Sequence, residues 1–168
     1  MKKELRRLGL SVFVTFCLIF VYSGYASAEG YDALKGLKSV KAIFDVRVAA
    51  PKSAAIQLKL IHDTFKDKSL TAISKKPAFV VAFMGPAVKL ISKSREGFSP
   101  EDQKLLDEIA GTVSAMAKSG IRVEICLFAA ELFGVDPGSV LPEVKQVGNG
   151  WISLIGYQAK GYSLVPAY

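Results

Sequence analysis

Strand-like and helix-like segments alternate along most of this chain, and that alternation limits the possible folds more than any other feature. Residues 78–84 (AFVVAFM) form a continuous apolar run, which is typical of a parallel strand that is buried on both faces. Further strands are predicted at residues 40–48, 120–126, 143–147 and 162–165. Helical patterns begin between them, near Pro51, Gly85, Pro100, Leu127 and Trp151. The alternation predicts an α/β protein, a three-layer α/β/α sandwich with a mainly parallel sheet of about five strands.

The amino terminus has the pattern of a secretory signal peptide. A positively charged start is followed by an apolar run at residues 8–22 and then by the small-residue cleavage pattern Ala26-Ser27-Ala28. The apolar run is shorter than the roughly 20 residues that a bilayer-spanning helix needs. We therefore predict a cleaved signal peptide at residues 1–28 and a single domain at residues 29–168. In a bacterium the mature protein would be soluble and periplasmic, with no membrane association after cleavage.

The charge of the mature chain gives little reason to expect a nucleic-acid partner. Cleavage would remove four basic residues and Glu4, so the formal charge of +7 would fall to about +4. The remaining lysines are scattered, and the densest group is Lys66, Lys68, Lys75 and Lys76. A solvated loop explains this group better than a nucleic-acid interface does.

Few residues of this chain suit metal or cofactor chemistry. His62 is the only histidine, and cleavage would leave Cys126 as the only cysteine. Neither a zinc site nor an internal disulfide framework is therefore predicted, and the Cys-x-x-Cys motif of dithiol enzymes is absent. Gly148-x-Gly150 follows a predicted strand, but Ser153 stands where a dinucleotide loop has its third glycine. A tight turn is the favoured interpretation, and no cofactor is predicted.

Cys126 lies at the carboxyl end of a predicted strand, immediately before a predicted helix. Open α/β sheets bind ligands in the crevice at that edge, and the positive end of a helix favours the nucleophilic thiolate. A free cysteine is also among the most often buried residues, so position alone leaves a structural role open. A reactive Cys126 would carry out single-thiol chemistry: a persulfide, a transient mixed disulfide or reversible oxidation.

Several turns are expected beside Cys126, because the carboxyl ends of parallel strands meet at one edge of a sheet. These turns each follow a predicted strand, and together they predict a pocket at this edge. The candidate pocket residues are Met84, Gly85, Pro86, Leu127, Gly148, Asn149 and Gly150.

A diffuse set of segments links this chain to a known family. The segments are residues 80–88 (VVAFMGPAV), 120–126 (GIRVEIC), Gly134-Val135, residues 141–144 (LPEV) and 156–162 (GYQAKGY) with Pro166. Together they resemble the DsrE/DsrF-like family, over essentially the whole length from Val40 to Pro166. The resemblance implies a parallel α/β/α sandwich that assembles into trimers or hexamers.

For the family members that work in sulfur relays, the resemblance also implies a persulfide-carrying cysteine on a strand-to-helix loop, and Cys126 matches that position. The known relays are cytoplasmic, whereas this chain has an export signal, so DsrC-like or TusE-like acceptors would not be met. We therefore expect a periplasmic sulfur-handling protein, a sulfurtransferase-like sulfur carrier in which Cys126 accepts and donates sulfane sulfur. Its partner would be a sulfur donor or acceptor protein or a small anionic sulfur compound.

The alternative is a non-catalytic oligomeric module that binds a small ligand in the strand-end pocket. A wholly buried Cys126 with no cavity beside it would favour this alternative.

Two further expectations concern assembly and access. The apolar content of 51% and the resemblance predict that a helix face with Trp151, Ile155 and Tyr157 is buried between subunits, although these residues could equally be core. The polar segment 94–100 is predicted to be a mobile loop in which Arg95 attracts an anionic donor such as thiosulfate. The alternative is an ordinary surface loop with a solvated arginine.

Overall fold

A five-stranded parallel sheet forms the middle layer of the fold. The computed structural model describes residues 30–168, so the predicted signal peptide at residues 1–28 lies outside the described residues. The strands are β1 (Lys41–Val46), β2 (Ala78–Phe83), β3 (Arg122–Cys126), β4 (Lys145–Val147) and β5 (Ser163–Ala167). They lie in the order β4-β3-β2-β1-β5, and every neighbouring pair is parallel. The predicted fold class is confirmed.

Both faces of β1 and β2, two of the three inner strands, are covered. In β1 and in β2 the last five residues are all buried, and successive residues of a strand point to opposite faces. Neither face is therefore left to solvent. The helices are α1 (Pro51–Lys66), α2 (Lys68–Ile73), α3 (Pro100–Ser119), α4 (Leu127–Leu132) and α5 (Gly150–Ala159), and short 3-10 helices lie at Asp32–Leu34, Gly85–Ile91 and Pro137–Ser139.

Local sequence signals fix the ends of the longest helix, α3. The Ser99 side chain accepts a hydrogen bond from the backbone N–H of Asp102, and Pro100 occupies the first turn. Gly120 closes the helix with a left-handed φ of 92°, a conformation that a side chain would oppose. Both ends were predicted, and they set the point at which β3 begins.

One short helix was missed in the lysine-rich segment. Residues 68–73, predicted as part of a solvated loop, form α2, whose first turn is capped by the Asp67 side chain accepting from Ser69 N–H. Lys66 and Lys68 nevertheless remain exposed.

Large aliphatic and aromatic side chains on both faces of the sheet form the core. The largest fully buried ones include Ile43, Leu58, Phe83, Leu106 and Ile125. Each contributes about 1.5–3 kcal/mol by leaving water, which holds the strand ends in a fixed arrangement. Leu34–Tyr168 form one compact unit. Among the described residues, no helix combines the length and the apolar character needed to cross a bilayer.

Candidate functional site

The carboxyl ends of β2, β3 and β4 bring the predicted turns together. Phe83 pairs with Ile125, so Met84 and Cys126 follow at the same level on adjacent strands. Cys126 in turn pairs with Val147 of β4. The turn after β4 therefore begins directly beside Cys126, as the topology predicts.

The Cys126 sulfur receives a hydrogen bond from the amino terminus of α5. The backbone N–H of Gly150 donates to Cys126 Sγ at 3.2 Å, and Gly150 is the first residue of that helix. The Asn149 side chain caps the same end by accepting from Trp151 N–H at 2.9 Å. The Cys126 sulfur thus lies at the positive end of the α5 dipole.

The helix that faces the sulfur is not the one expected from the sequence. Cys126 is the N-cap residue of α4, but its side chain makes no capping hydrogen bond there. The expected contact with the helix beginning at Leu127 is therefore replaced by a contact with α5. A direct contact across the sheet edge was not visible in the local sequence pattern.

The two glycines of Gly148-x-Gly150 have different roles. A Cβ atom on Gly150 would lie 2.4 Å from Met84 Sδ and 3.1 Å from Cys126 Cβ. Only a glycine allows α5 to approach the thiol this closely. A Cβ on Gly148 would meet nothing within 4 Å, and the Gly148 carbonyl accepts from Phe128 N–H of α4 at 3.1 Å. The Gly148-x-Gly150 motif therefore brings the amino terminus of α5 against the thiol. This role agrees with the predicted turn rather than with a dinucleotide loop.

A cavity of about 260 Å³ lies beside Cys126. Its lining residues are Arg47, Met84, Gly85, Cys126, Phe128, Ala129, Leu132, Phe133, Asn149 and Trp151. The Cys126 residue is 6% exposed and forms no disulfide within the described part of the chain. The thiol is thus buried, but the space beside it is much larger than the volume of one water molecule, about 30 Å³. A small ligand of several atoms fits there.

The predicted pocket residues divide into those that line this cavity and those that do not. Met84, Gly85 and Asn149 line it, while Gly150 and Gly148 contact Cys126 and α4 as described. Pro86 and Leu127 do not line it. Pro86 instead begins the 3-10 helix Gly85–Ile91.

Arg95 is held away from the Cys126 cavity. Its guanidinium donates to the Ser92 carbonyl at 2.9 Å and to the Asp107 carboxylate at 2.7 Å, and it does not line the cavity. Ser94 and Glu96 of the same segment line a separate cavity of about 580 Å³, which shares only Phe133 with the first. The segment lies near the site, but the structure does not bring the Arg95 side chain to the thiol.

Arg47 supplies the positive charge that Arg95 was expected to supply. Its Nε donates to both oxygens of Asp45, at 3.0 and 2.9 Å, and Asp45 is only 2% exposed. Arg47 was missed because the first strand was predicted to run to Val48, which placed this residue within the strand. β1 ends at Val46, so Arg47 lies at the sheet edge with Met84.

A buried carboxylate connects β3 to α5. Glu124, 2% exposed, accepts hydrogen bonds from Arg122 Nε at 2.5 Å, Ser153 Oγ at 2.7 Å and Tyr157 Oη at 3.0 Å. Burial and the neighbouring Glu124 carboxylate raise the pKa of Tyr157 to about 12. The period of two along β3 puts Glu124 on the same face as Cys126, and this was the sequence signal for the cluster. Ser153 and Tyr157 are thereby fixed in the helix whose first N–H reaches the thiol.

His62 is remote from Cys126. Its Nε2 lies 3.0 Å from Ser119 Oγ, at the last residue of α3 and so at the opposite end of β3 from the thiol. Burial, and then the nearby Lys66, lower the pKa of His62. Within residues 30–168, no three His, Cys, Asp or Glu side chains are grouped closely enough to hold a metal ion.

Helices α4 and α5 expose five large apolar side chains, three of which (Phe128, Leu132 and Trp151) also line the cavity. Phe128, Leu132, Trp151, Ile152 and Ile155 are each 63–71% exposed. Trp151 and Ile155 are therefore not part of the core of one chain. Tyr157 points inward instead, where its ring packs against Tyr162 at 5.0 Å between centroids. We call the five exposed residues the α4–α5 apolar surface.

Comparisons with known proteins find a family model and a curated relative that match this chain. The family model of the DsrE/DsrF-like family matches residues 17–166. An uncharacterized protein of Aquifex aeolicus is 26% identical over 128 residues, which are 76% of this chain. The chain spans about half the length of that curated relative, 56%.

Two solved structures share the fold. One is a protein of unknown function from Methanobacterium thermoautotrophicum, with a TM-score of 0.58 and 16% identity, covering 76% of this chain and 99% of that one. The other is the ychN protein from E. coli, with a TM-score of 0.52 and 15% identity, covering 76% and 98%. Similarity at this level of identity establishes the α/β architecture and nothing about activity.

Proposed function

This chain belongs to the DsrE/DsrF-like family, and from that premise we propose that it handles sulfur, with Cys126 accepting and donating sulfane sulfur as a persulfide. The family fold is related to sulfur relays. The principal support within the molecule is the Cys126 sulfur itself, which borders a cavity of about 260 Å³ and accepts the first N–H of α5.

The surroundings of the thiol suit this chemistry. The thiolate is the nucleophilic form of cysteine, and the Gly150 N–H donates a hydrogen bond to the Cys126 sulfur. The apolar cavity walls limit the access of bulk water to a persulfide, while leaving room for a small donor. Within the described residues no second cysteine accompanies Cys126, so a persulfide formed there would await an outside acceptor.

Transfer of the sulfane sulfur to and from Cys126 needs no external oxidant or reductant. With thiosulfate as donor, the Cys126 thiolate attacks the outer sulfur, a new S–S bond forms on Cys126, and the donor S–S bond breaks. Sulfite leaves with the electron pair of the broken bond. An acceptor thiolate then attacks the outer sulfur of the persulfide and regenerates the Cys126 thiolate.

Two contextual proposals accompany this function. The signal-like segment at residues 1–28 supports export to the periplasm. The α4–α5 apolar surface supports a homo-oligomer, because exposed apolar patches commonly mark contact surfaces, and the family resemblance implies a trimer or hexamer.

The second candidate function is non-catalytic binding of a small ligand in the same cavity. The low exposure of Cys126, 6%, and the mostly apolar cavity walls favour it. In that case Cys126 would be a packing residue, and its replacement would leave ligand binding intact.

Peptide mass spectrometry after treatment with thiosulfate or polysulfide distinguishes the two functions. We expect one added sulfur on the peptide containing Cys126, and none in Cys126→Ser at that position. Because the mass of each peptide is measured separately, sulfur added to Cys126 is distinguished from sulfur added to Cys17 in the full chain. Unmodified Cys126 after both treatments, in a protein that remains folded by circular dichroism, would contradict the sulfur-carrier proposal.

A further inference from the structure

Arg47 is anchored at the sheet edge on the far side of Met84 from Cys126. Its backbone N–H donates to the Ala167 carbonyl at 3.1 Å, and Met84 N–H donates to the Val46 carbonyl at 2.9 Å. β1 and β3 flank β2, so the backbones of Arg47 and Cys126 lie roughly 10 Å apart, two strand spacings. The cavity occupies the space between them, above Met84 and Gly85.

Asp45 orients the guanidinium of Arg47 but binds only one of its three nitrogens. Its hydrogen bonds to Asp45 both come from Nε. Its two terminal nitrogens make no hydrogen bond to any residue of the described chain, and the side chain is 36% exposed. The buried Asp45 carboxylate does not line the cavity, so the group that faces the cavity is the cation. Terminal guanidinium nitrogens bind carboxylates and similar anions through paired hydrogen bonds.

The rest of the cavity is apolar. Phe128, Leu132, Phe133 and Trp151 form much of its wall, and Arg47 is the only charged residue among its described lining. A complementary ligand therefore combines an anionic group with a hydrocarbon or aromatic body. Thiosulfate satisfies the first requirement but leaves the apolar wall unused.

Building on the proposed function of Cys126, we propose that Arg47 selects organic sulfur donors that carry an anionic group, such as the persulfide of a thiol carboxylic acid. The anion binds the terminal nitrogens of Arg47, and the donor's apolar body packs against the wall. The Cys126 thiolate attacks the outer sulfur of the donor R–S–SH, the donor S–S bond breaks, and R–S⁻ leaves. Cys126 then carries S–SH, so atoms, charge and oxidation levels balance.

Two aromatic disulfides test this proposal directly, because each releases a product that is measured by its absorbance when a thiolate attacks it. Dithiobis(nitrobenzoate) carries carboxylates, whereas dithiodipyridine is neutral. Rates are measured on the full chain, and the rate remaining in Cys126→Ser is subtracted. The variants are Arg47→Gln, the charge-retaining Arg47→Lys, and Arg95→Gln as a matched control that removes a cation outside the cavity.

We expect Arg47→Gln to slow the carboxylate reagent about tenfold or more, the loss of one charge-assisted interaction, while the neutral reagent changes by less than about twofold. Arg47→Lys should recover part of the loss, and Arg95→Gln should affect neither reagent. Equal slowing of both reagents, or of neither, would overturn the role of Arg47 in anion selection. If Cys126 of the unmodified protein fails to react even with the neutral reagent, it is the proposed function that fails.

Discussion

Gly150 offers the sharpest test of how α5 is held against the thiol. In Gly150→Ala the new Cβ would lie 2.4 Å from Met84 Sδ, 3.0 Å from Met84 Cγ and 3.1 Å from Cys126 Cβ. The Met84 side chain can rotate away, but the Cys126 Cβ is fixed by its strand. The amino terminus of α5 must therefore shift outward, which lengthens the Gly150 N–H contact with Sγ.

A glycine two residues earlier provides the matched control. Overpacking at a tight site costs about 1–3 kcal/mol, whereas replacing glycine by alanine where the backbone allows it stabilises by about 0.4–1 kcal/mol. Neither Gly148 nor Gly150 has a positive φ, so both variants receive this gain. Gly148→Ala meets nothing within 4 Å and receives the gain alone.

The difference in stability between Gly150→Ala and Gly148→Ala measures the effect of the close contact between α5 and Cys126. We expect Gly150→Ala to be less stable than Gly148→Ala by about 1–3 kcal/mol in urea unfolding, and to show a changed rate of Cys126 alkylation by iodoacetamide. Gly148→Ala should label at the unmodified rate. Equal stability and equal labelling rates in the two variants would refute the close approach of α5 to Cys126.

Three further outcomes follow from the structure. Glu124→Gln puts an amide in place of a carboxylate that accepts three hydrogen bonds, and we expect a loss of about 1–3 kcal/mol in urea unfolding; an unchanged midpoint would show that the cluster does not stabilise the fold. The raised pKa of Tyr157, about 12, means that the folded state holds this proton more tightly than the unfolded state. The associated stability is complete below pH 10 and is lost as pH rises toward 12, and a Tyr157→Phe variant should lack that part of the alkaline loss; identical alkaline profiles would contradict this. Light scattering at micromolar concentration should give the mass of three or six chains, and a smaller mass for Ile155→Glu. A strictly monomeric unmodified protein would exclude the proposed assembly.

The parts of the fold that were predicted correctly depend on local chemistry. The apolar run at 78–84 is a buried central strand because every residue in it can enter a core. Ser99 and Gly120 mark the ends of α3 because a cap and a left-handed closure need only neighbouring atoms. The strand-end position of Cys126 followed in the same way, from the change of pattern at residue 126.

The features that were missed depend on pairing between distant segments. Glu124 meets Ser153 and Tyr157, 29 and 33 residues further along the chain. Gly150 was predicted to lie beside Cys126, but its hydrogen bond to the thiol, across 24 residues of the chain, was not. The period of two along β3 places Glu124 on the same face as Cys126, but it does not identify the partners, because these contacts arise from the placement of β4 beside β3. Arg95 appeared suitable from its loop, but its pairing with Asp107 is also a tertiary contact.

These long-range contacts couple the thiol to a polar cluster that does not touch it. Glu124 lies two residues before Cys126 on β3 and binds the fourth and eighth residues of α5, Ser153 and Tyr157. The first residue of the same helix donates to the thiol. Because a ten-residue helix moves as a stiff unit, loosening the Glu124 end displaces the donor at the Cys126 end. We therefore expect the docking of α5 to influence the Cys126 thiol, and a change confined to the Glu124 cluster should alter thiol reactivity while every residue lining the cavity stays the same.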